Sequence, residues 1–319
     1  VRKVKASVLA IILWIMIILA MLAVSIGHRV SMSLRLSEYQ KDRLKAYYLA
    51  KAGLNLAINE IINDKTVDYD SLADSWAKNE EAFKRISFNN NFDEFATVSY
   101  TVRDSNNDLE INYGVRDEER KVNINTVSRE LLIVLLEKCG VDAAEEIADN
   151  ILIWRGDIAD ENKAYENSGY TAKAGKFSNS EELDLIKGVS REDYQILKGL
   201  VTVYGDGFIN INTVSFEVLT IFARGIAKEL GLGQDFADTI VGKINALRDS
   251  LGQFKAKSEI NITVTGDEET AVFNKLMEHV VVRSDNFLIE SAGNVRKIKS
   301  KITVVYSRKG NKVLYWHEN

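Results

Sequence analysis

The sequence predicts an α+β protein in which a membrane helix continues into a long amphipathic one, followed by short strands and a large, mostly helical region. Three observations carry this. Nineteen consecutive residues from Val8 to Ile26 carry no charge. Short runs alternate apolar and polar residues near residue 100 and again at the C-terminus. Between those runs, one hexapeptide occurs twice, each time followed by an apolar helical stretch.

The apolar run comes first. At about 1.5 Å per residue it spans roughly 28 Å, the thickness of a bilayer's hydrocarbon layer. Arg2, Lys3 and Lys5 precede it with no acid, so the positive-inside rule keeps the N-terminus in the cytoplasm and exports the rest. A cleaved secretory signal has a shorter apolar region, usually about 7 to 15 residues, before a small-residue cleavage site. Here the pattern instead goes on: Val30, Leu34, Leu36, Leu44, Tyr47, Tyr48, Leu54, Ile58 and Ile61 recur at mostly helical spacing with no proline. One helix is therefore expected to run to about Asn63.

The chain has 319 residues, enough for one large or two ordinary domains. Hydrophobic residues at 46%, charged residues at 27% and a net charge of -5 describe a folded body rather than a disordered one. A single cysteine, Cys139, excludes an internal disulfide. Proline is absent, where average usage would give roughly 16; no physical reason for this is evident.

Basic residues, a small residue and then an unbroken apolar run resemble the leader of type IV pilin-like proteins. That resemblance implies cutting by a prepilin peptidase between Ala6 and Ser7, although the family usually has glycine where Ala6 stands. Counted from Ser7, the fifth residue is Ile11, where most pilins and pseudopilins carry glutamate; the K-type minor pseudopilin of type II secretion lacks it. Arg43 to Gly53, RLKAYYLAKAG, is similar to the alanine-rich, glycine-ended segment on that family's stem.

Val98 to Val102 and Leu109 to Val115 alternate around Asp104-Ser105-Asn106-Asn107-Asp108, as a hairpin would. Phe287 to Ala292, Lys299 to Ser307 and Lys312 to Trp316 read as three more strands, with Lys309-Gly310-Asn311 as a turn. In a pilin-like fold these strands form the antiparallel sheet on which the long helix lies.

Asn123-Ile124-Asn125-Thr126-Val127-Ser128 recurs as Asn210-Ile211-Asn212-Thr213-Val214-Ser215. Ala148-Asp149 echoes Ala237-Asp238, and Gly175 to Glu182 echoes Gly252 to Glu259, so an internal duplication is the economical explanation. In each hexapeptide the isoleucine enters a core, and a threonine or serine offers an oxygen to the amides opening the next helix. Glu130 and Glu217 then suit the first helical turn. Ser178 with Glu181, and Ser190 with Asp193, fit the capping-box pattern.

Such an Asn-Ile-Asn-Thr opening also begins helix-hairpin-helix modules that grip DNA. Affinity for nucleic acid needs cations, yet between Asp142 and Glu166 eight acids face only Arg155 and Lys163. The would-be hairpin Lys138-Cys139-Gly140-Val141-Asp142 carries one glycine where the DNA-binding version has two. Nucleic acid is not expected as a partner, and a membrane-anchored DNA-binding protein is the lesser alternative.

Asp117 to Thr126, DEERKVNINT, resembles the DExxKxNxNT run of the K-type minor pseudopilin. Ile151-Leu152-Ile153-Trp154-Arg155 is similar to its tryptophan-bearing helix end, and Phe177 to Leu183 with Lys187-Gly188-Val189 to its FxSxEEL and GV stretches. The resemblance implies a pilin-like α+β fold divided into a leader (1-6), a transmembrane helix (7-27), an amphipathic stem (28-63), a first pilin-like part (64-122), an inserted helical domain with an internal repeat (123-280) and C-terminal pilin-like strands (281-319). It implies a structural, non-enzymatic subunit at the tip of the secretion pseudopilus, anchored in the inner membrane with its body in the periplasm. Implied partners are the I- and J-type minor pseudopilins, the major pseudopilin and the prepilin peptidase. A minor pilin of a type IV pilus is the alternative within the same stem class.

No catalytic motif emerges. There is no GxSxG and no Walker loop, and His28, His279 and His317 are scattered. Asp157, Asp160, Glu161 and Glu166 gather hard oxygen ligands after Trp154, the kind calcium takes; members of the resembled family bind calcium in this domain, so these four are the candidate ligands. From Ser291 to His317 basic residues accumulate (Arg296, Lys297, Lys299, Lys301, Arg308, Lys309, Lys312), which suits a solvent-facing sheet edge or a docking face for an acidic neighbour.

Overall fold

The computed structural model describes residues 2–88, 92–103, 109–160, 165 and 169–319, with side chains from Val8 onward except at positions 103 and 109. Helix α1 (Arg2–Ile62) is continuous over 61 residues. Its apolar half, from Val8, is exposed throughout, Leu9 and Trp14 by about seven-tenths, because none of the other described residues covers it. That length and exposure fit a single-pass membrane anchor.

From Asp42 onward α1 buries one face. Asp42, Ala46, Ala50, Leu54, Ala57 and Ile61 recur every three or four residues and are all buried. The small residues let the sheet approach the helix backbone. Gly293 lies so close that a Cβ there would stand 1.8 Å from the carbonyl oxygen of Ala46, and one at Gly53 would stand 2.6 Å from Ser291 Oγ. Ser291 Oγ in turn donates to the Ala50 carbonyl at 2.7 Å.

After the one-turn helix α2 (Glu80–Phe83) come β1 (Glu94–Arg103), β2 (Leu109–Tyr113) and β3 (Arg116–Asp117). The expected hairpin is present, but its turn, Asp104 to Asp108, lies outside the described residues. The chain then leaves the sheet through β4 (Val122–Asn123), α3 (Arg129–Lys138), α4 (Ala144–Arg155), α5 (Arg191–Leu200) and β5 (Val201–Thr202). It continues through β6 (Ile209–Asn210), α6 (Phe216–Glu229), α7 (Gln234–Leu251), α8 (Gly266–Glu278) and β7 (Val280–Val281). The chain returns as β8 (Asn286–Val295), β9 (Ile298–Ser307) and β10 (Lys312–Glu318). The antiparallel sheet has the order β10-β9-β8-β1-β2, and β3 also pairs with β8. Exit and return are neighbours, since Asp117 is paired with Phe287. A body can be inserted at such a point without disturbing the sheet.

Two apolar cores result. One joins the stem to the sheet around Leu54, Ile61, Trp76, Phe83, Phe287 and Ile289. The other runs through the helical body, with Leu132, Leu135, Ile221, Phe222 and Ile244 at its centre.

The helical body is built twice, and its hydrogen bonds show this more clearly than its sequence. In the first copy Asn125 Oδ1 accepts from the Phe177 amide at 2.7 Å while its Nδ2 donates to the Phe177 carbonyl at 3.0 Å. In the second, Asn212 makes the same pair with Phe254, both at 2.8 Å. Arg155 Nη1 donates to the carbonyls of Ile124 and Val127, and Arg248 Nη1 to those of Ile211 and Val214. Each hexapeptide opens on a parallel two-residue bridge, β4 with β5 and β6 with β7. Ser128 and Ser215 cap α3 and α6 as expected. Ser190 and Asp193 form a full capping box. Ser178 does not: Asn179 caps the following 3-10 turn (Ser180–Leu185), and Glu182 rather than Glu181 reaches back to the Ser178 amide. The turn is one residue tighter than an α-helical start, which moves the cap forward by one position.

Candidate functional site

Two places concentrate functional chemistry: the junction where the helical body meets the sheet, and the acidic loop after Trp154. The junction is built by Asp117 to Asn123. Asp117 is fully enclosed and accepts from Thr213 Oγ1 at 2.5 Å, Ser284 Oγ at 2.6 Å and Asn210 Nδ2 at 3.3 Å. Glu119 accepts from the amide and side chain of Asn286 at 3.0 and 2.6 Å. Both carboxyls are pushed upward by burial, and Glu119 further by the charge of Asp117. Glu118 and Lys121 form a buried pair at 2.8 Å; burial lowers the lysine to about 8 in spite of its partner. One acidic-basic run thus ties the second hexapeptide and the return strand β8 to the exit strand β3.

Asp70 completes the junction from the other side. It is fully buried, receives Arg308 Nη1 at 2.9 Å and Nη2 at 2.6 Å, and accepts from the Ser284 amide at 2.7 Å. Its carboxyl is nonetheless pushed up to about 6, because burial outweighs the guanidinium. Arg308 therefore does not belong to an exposed basic face, as its sequence neighbourhood suggested. Sequence reasoning missed Asp70 altogether. Nothing local marks it, since its partners lie more than two hundred positions away.

In the acidic loop, Asp157 follows the left-handed cap Gly156, and its Oδ2 accepts both Arg155 Nε, at 2.6 Å, and Arg155 Nη2. Asp160 is half-buried. Glu161 and Glu166 lie outside the described residues. The described loop residues Tyr165 and Tyr170 are held by aromatic contacts. Trp154 meets Tyr165, Tyr170 and Phe177 with ring centroids 5.7, 6.3 and 6.4 Å away. Tyr165 donates to the Asn150 carbonyl at 3.0 Å. Trp154 Nε1 donates to Glu182 Oε2 at 3.0 Å, and Lys173 pairs with Glu182 at 2.9 Å. Tyr165, Tyr170 and Lys173 went unnoticed in the sequence, although the aromatic spacing around Trp154 could have signalled the tyrosines; Glu182 was noted there only as part of the repeat and the FxSxEEL run.

A third acidic group, Asp64, Asp70 and Asp74, brings one oxygen of each within 4.8 Å. Each carboxylate already has donors. Asp64 receives Trp76 Nε1 at 3.2 Å, Asp74 the Ser71 amide at 2.6 Å, and Asp70 the Arg308 fork. This donor set resembles a hydrogen-bonded hub more than an open cation site. Ala6 and Ser7 fall within α1, outside the described side chains.

A long helix, apolar and then docked on an antiparallel sheet, with a helical body inserted between two paired strands of that sheet, is a pilin-like fold of the α+β class. Residues 106–206 match the family described as Type II secretion system (T2SS), protein K. The fold is similar to a chain in the crystal structure of the GspK-GspI-GspJ complex from the enterotoxigenic Escherichia coli type 2 secretion system. That likeness has a TM-score of 0.63 at 16% identity, over 90% of this chain and 99% of that one. No curated protein sequence matches this chain. The family match covers 101 of the chain's 319 residues.

Proposed function

We propose that this subunit occupies the tip of the type II secretion pseudopilus, where it initiates or caps the fibre together with the I- and J-type minor pseudopilins and above the major pseudopilin. The observation that carries this is the insertion. A bulky, twice-built helical body is inserted in the chain between the paired strands β3 and β8, where a further subunit stacking on the stem would meet it. Ile11 at the fifth position after the expected cleavage site agrees with this, since it offers no carboxylate to the N-terminus of a subunit above. The family match falls on the segment that a DNA-gripping reading would need and favours secretion.

In this reading a prepilin peptidase cuts between Ala6 and Ser7, the N-terminus faces the cytoplasm and the body lies in the periplasm. The test is expression in a Gram-negative host with and without the peptidase, followed by mass spectrometry of the mature N-terminus. Peptidase-dependent loss of residues 1–6 is the expected result. An uncut chain in the presence of active peptidase overturns the reading.

Calcium belongs to the same proposal, at Asp157, Asp160, Glu161 and Glu166. The duplication supplies its own control: the second copy goes from Arg248 to Phe254 in six residues, whereas the first takes twenty-two from Arg155 to Phe177. The shared fold does not require those additional residues, and they carry the acids.

A further inference from the structure

Beneath the helical body runs a cleft of about 720 Å³, walled by Thr101 on one side and by Gln195 and Gly199 of α5 on the other. Arg116, Arg120 and Lys121 line it together. Lys121 is committed to Glu118. The two arginines have no such commitment: among the described residues neither guanidinium has a hydrogen-bond or ion-pair partner, and Arg116 Nε is buried with no acceptor. A buried donor without an acceptor is costly, the more so when it is charged. Burial lowers Arg120, and the charge of Arg116 acts in the same direction.

The acids around the cleft relieve this only in part: the charge of Glu118 acts on both arginines and that of Asp117 on Arg120, with no hydrogen bond or ion pair to either among the described residues. Asp117 faces Thr213 and Ser284, Glu118 faces Lys121, Glu119 faces Asn286, and Glu217 is exposed in the first turn of α6 without an ion pair among the described residues. Ser215 and Val218 place the opening of α6, a 14-residue helix, at the same cleft, and its dipole also favours negative charge. Two half-buried like charges at one cleft, with donors unused among the described residues and a helix start beside them, call for an anion. A guanidinium fork satisfies two oxygens of one ligand at once.

We propose that this cleft binds a small oxyanion, phosphate or a carboxylate-bearing molecule, between Arg116 and Arg120. The site is independent of the acidic loop and of the tip assignment.

Full-length protein in detergent is titrated with inorganic phosphate and, in a second arm, with citrate, each against sodium chloride of equal ionic strength. Calorimetry gives the affinity and thermal unfolding gives the shift. Saturable binding of either anion with a raised unfolding temperature is expected; the tighter one tells whether phosphate or carboxylate is the natural class. Arg116→Gln with Arg120→Gln is expected to weaken binding at least about tenfold, while Lys299→Gln, on an exposed strand position, leaves it unchanged. Phosphorus resonance broadening on the unaltered protein gives a readout that does not depend on the double variant folding. Equal shifts in chloride, no broadening, or undiminished binding by a folded double variant each overturn the proposal.

Discussion

Asp70 and Arg308 show that a charge pair can be well formed and still dear. The carboxylate is wholly buried and receives three donors, yet its pKa stands near 6 instead of 3.8. The protonated form is thus favoured more in the folded state than in the unfolded one. Stability carried by Asp70 is present in full below about pH 4 and is lost as pH rises through about 6. Burial likewise raises Asp117 and Glu119, so they act with the same sign. Urea unfolding of the full chain between pH 4 and 7 is expected to show the unaltered protein losing stability relative to Asp70→Asn as pH rises. A difference that stays flat over that window would contradict the assignment. At the same scale, Asn212→Ala removes both bonds to Phe254 in a buried setting. We expect a loss of about 1–3 kcal/mol, read as a lower urea midpoint. Asn125→Ala, at the half-buried equivalent in the first copy, is expected to lose less.

Among the elements, the stem-sheet seam depends on close approach rather than on large side chains. Gly293 does not need an unusual backbone conformation; it needs the space that the Ala46 carbonyl occupies. Gly293→Val is therefore expected to force α1 away from β8 and to cost about 1–3 kcal/mol or more, seen as a lower unfolding temperature. Gly27→Ala, where nothing lies within 4 Å, should leave that temperature unmoved. The stem, the strands and the duplication were legible because each rests on a periodicity: 3.6 along α1, 2 along β1 and β8, and a repeated hexapeptide. The cap at Asn179 was not, because Ser178 and Asn179 are both good capping residues and only the 3-10 geometry chooses between them. Asp70, Arg308 and the cleft arginines were illegible for a different reason. Their meaning comes from partners distant in sequence, so Arg308 read as one more basic residue among seven. For the acidic loop, calcium is expected to protect the bonds between residues 156 and 176 from proteolysis, and Asp157→Asn with Asp160→Asn to abolish that protection. Equal cleavage with calcium and with chelator would remove calcium from this loop.

At the scale of the whole molecule, bulk and stem chemistry offer two separable ways for one subunit to end a fibre. The sheet leaves the insertion optional, because Asp117 and Phe287 are paired neighbours on β3 and β8. Replacing residues 118–286 by an Asn-Gly turn should close those two strands as a hairpin. The stem-sheet core of Leu54, Ile61, Trp76 and Phe83 lies outside the excised part, so the shortened chain is expected to remain folded, although less stable, since Asp70 loses Ser284 while keeping Arg308. If the inserted body blocks further addition, the shortened subunit should no longer stop growth, and cells overproducing pseudopilins should show longer fibres by electron microscopy. Ile11→Glu in the complete chain isolates the other contribution, because it supplies the missing carboxylate while leaving the body in place. Longer fibres from the shortened chain alone assign the block to bulk; from Ile11→Glu alone, to the stem. Unchanged lengths in both, with each variant processed and present in the membrane, would overturn the capping role proposed for this subunit.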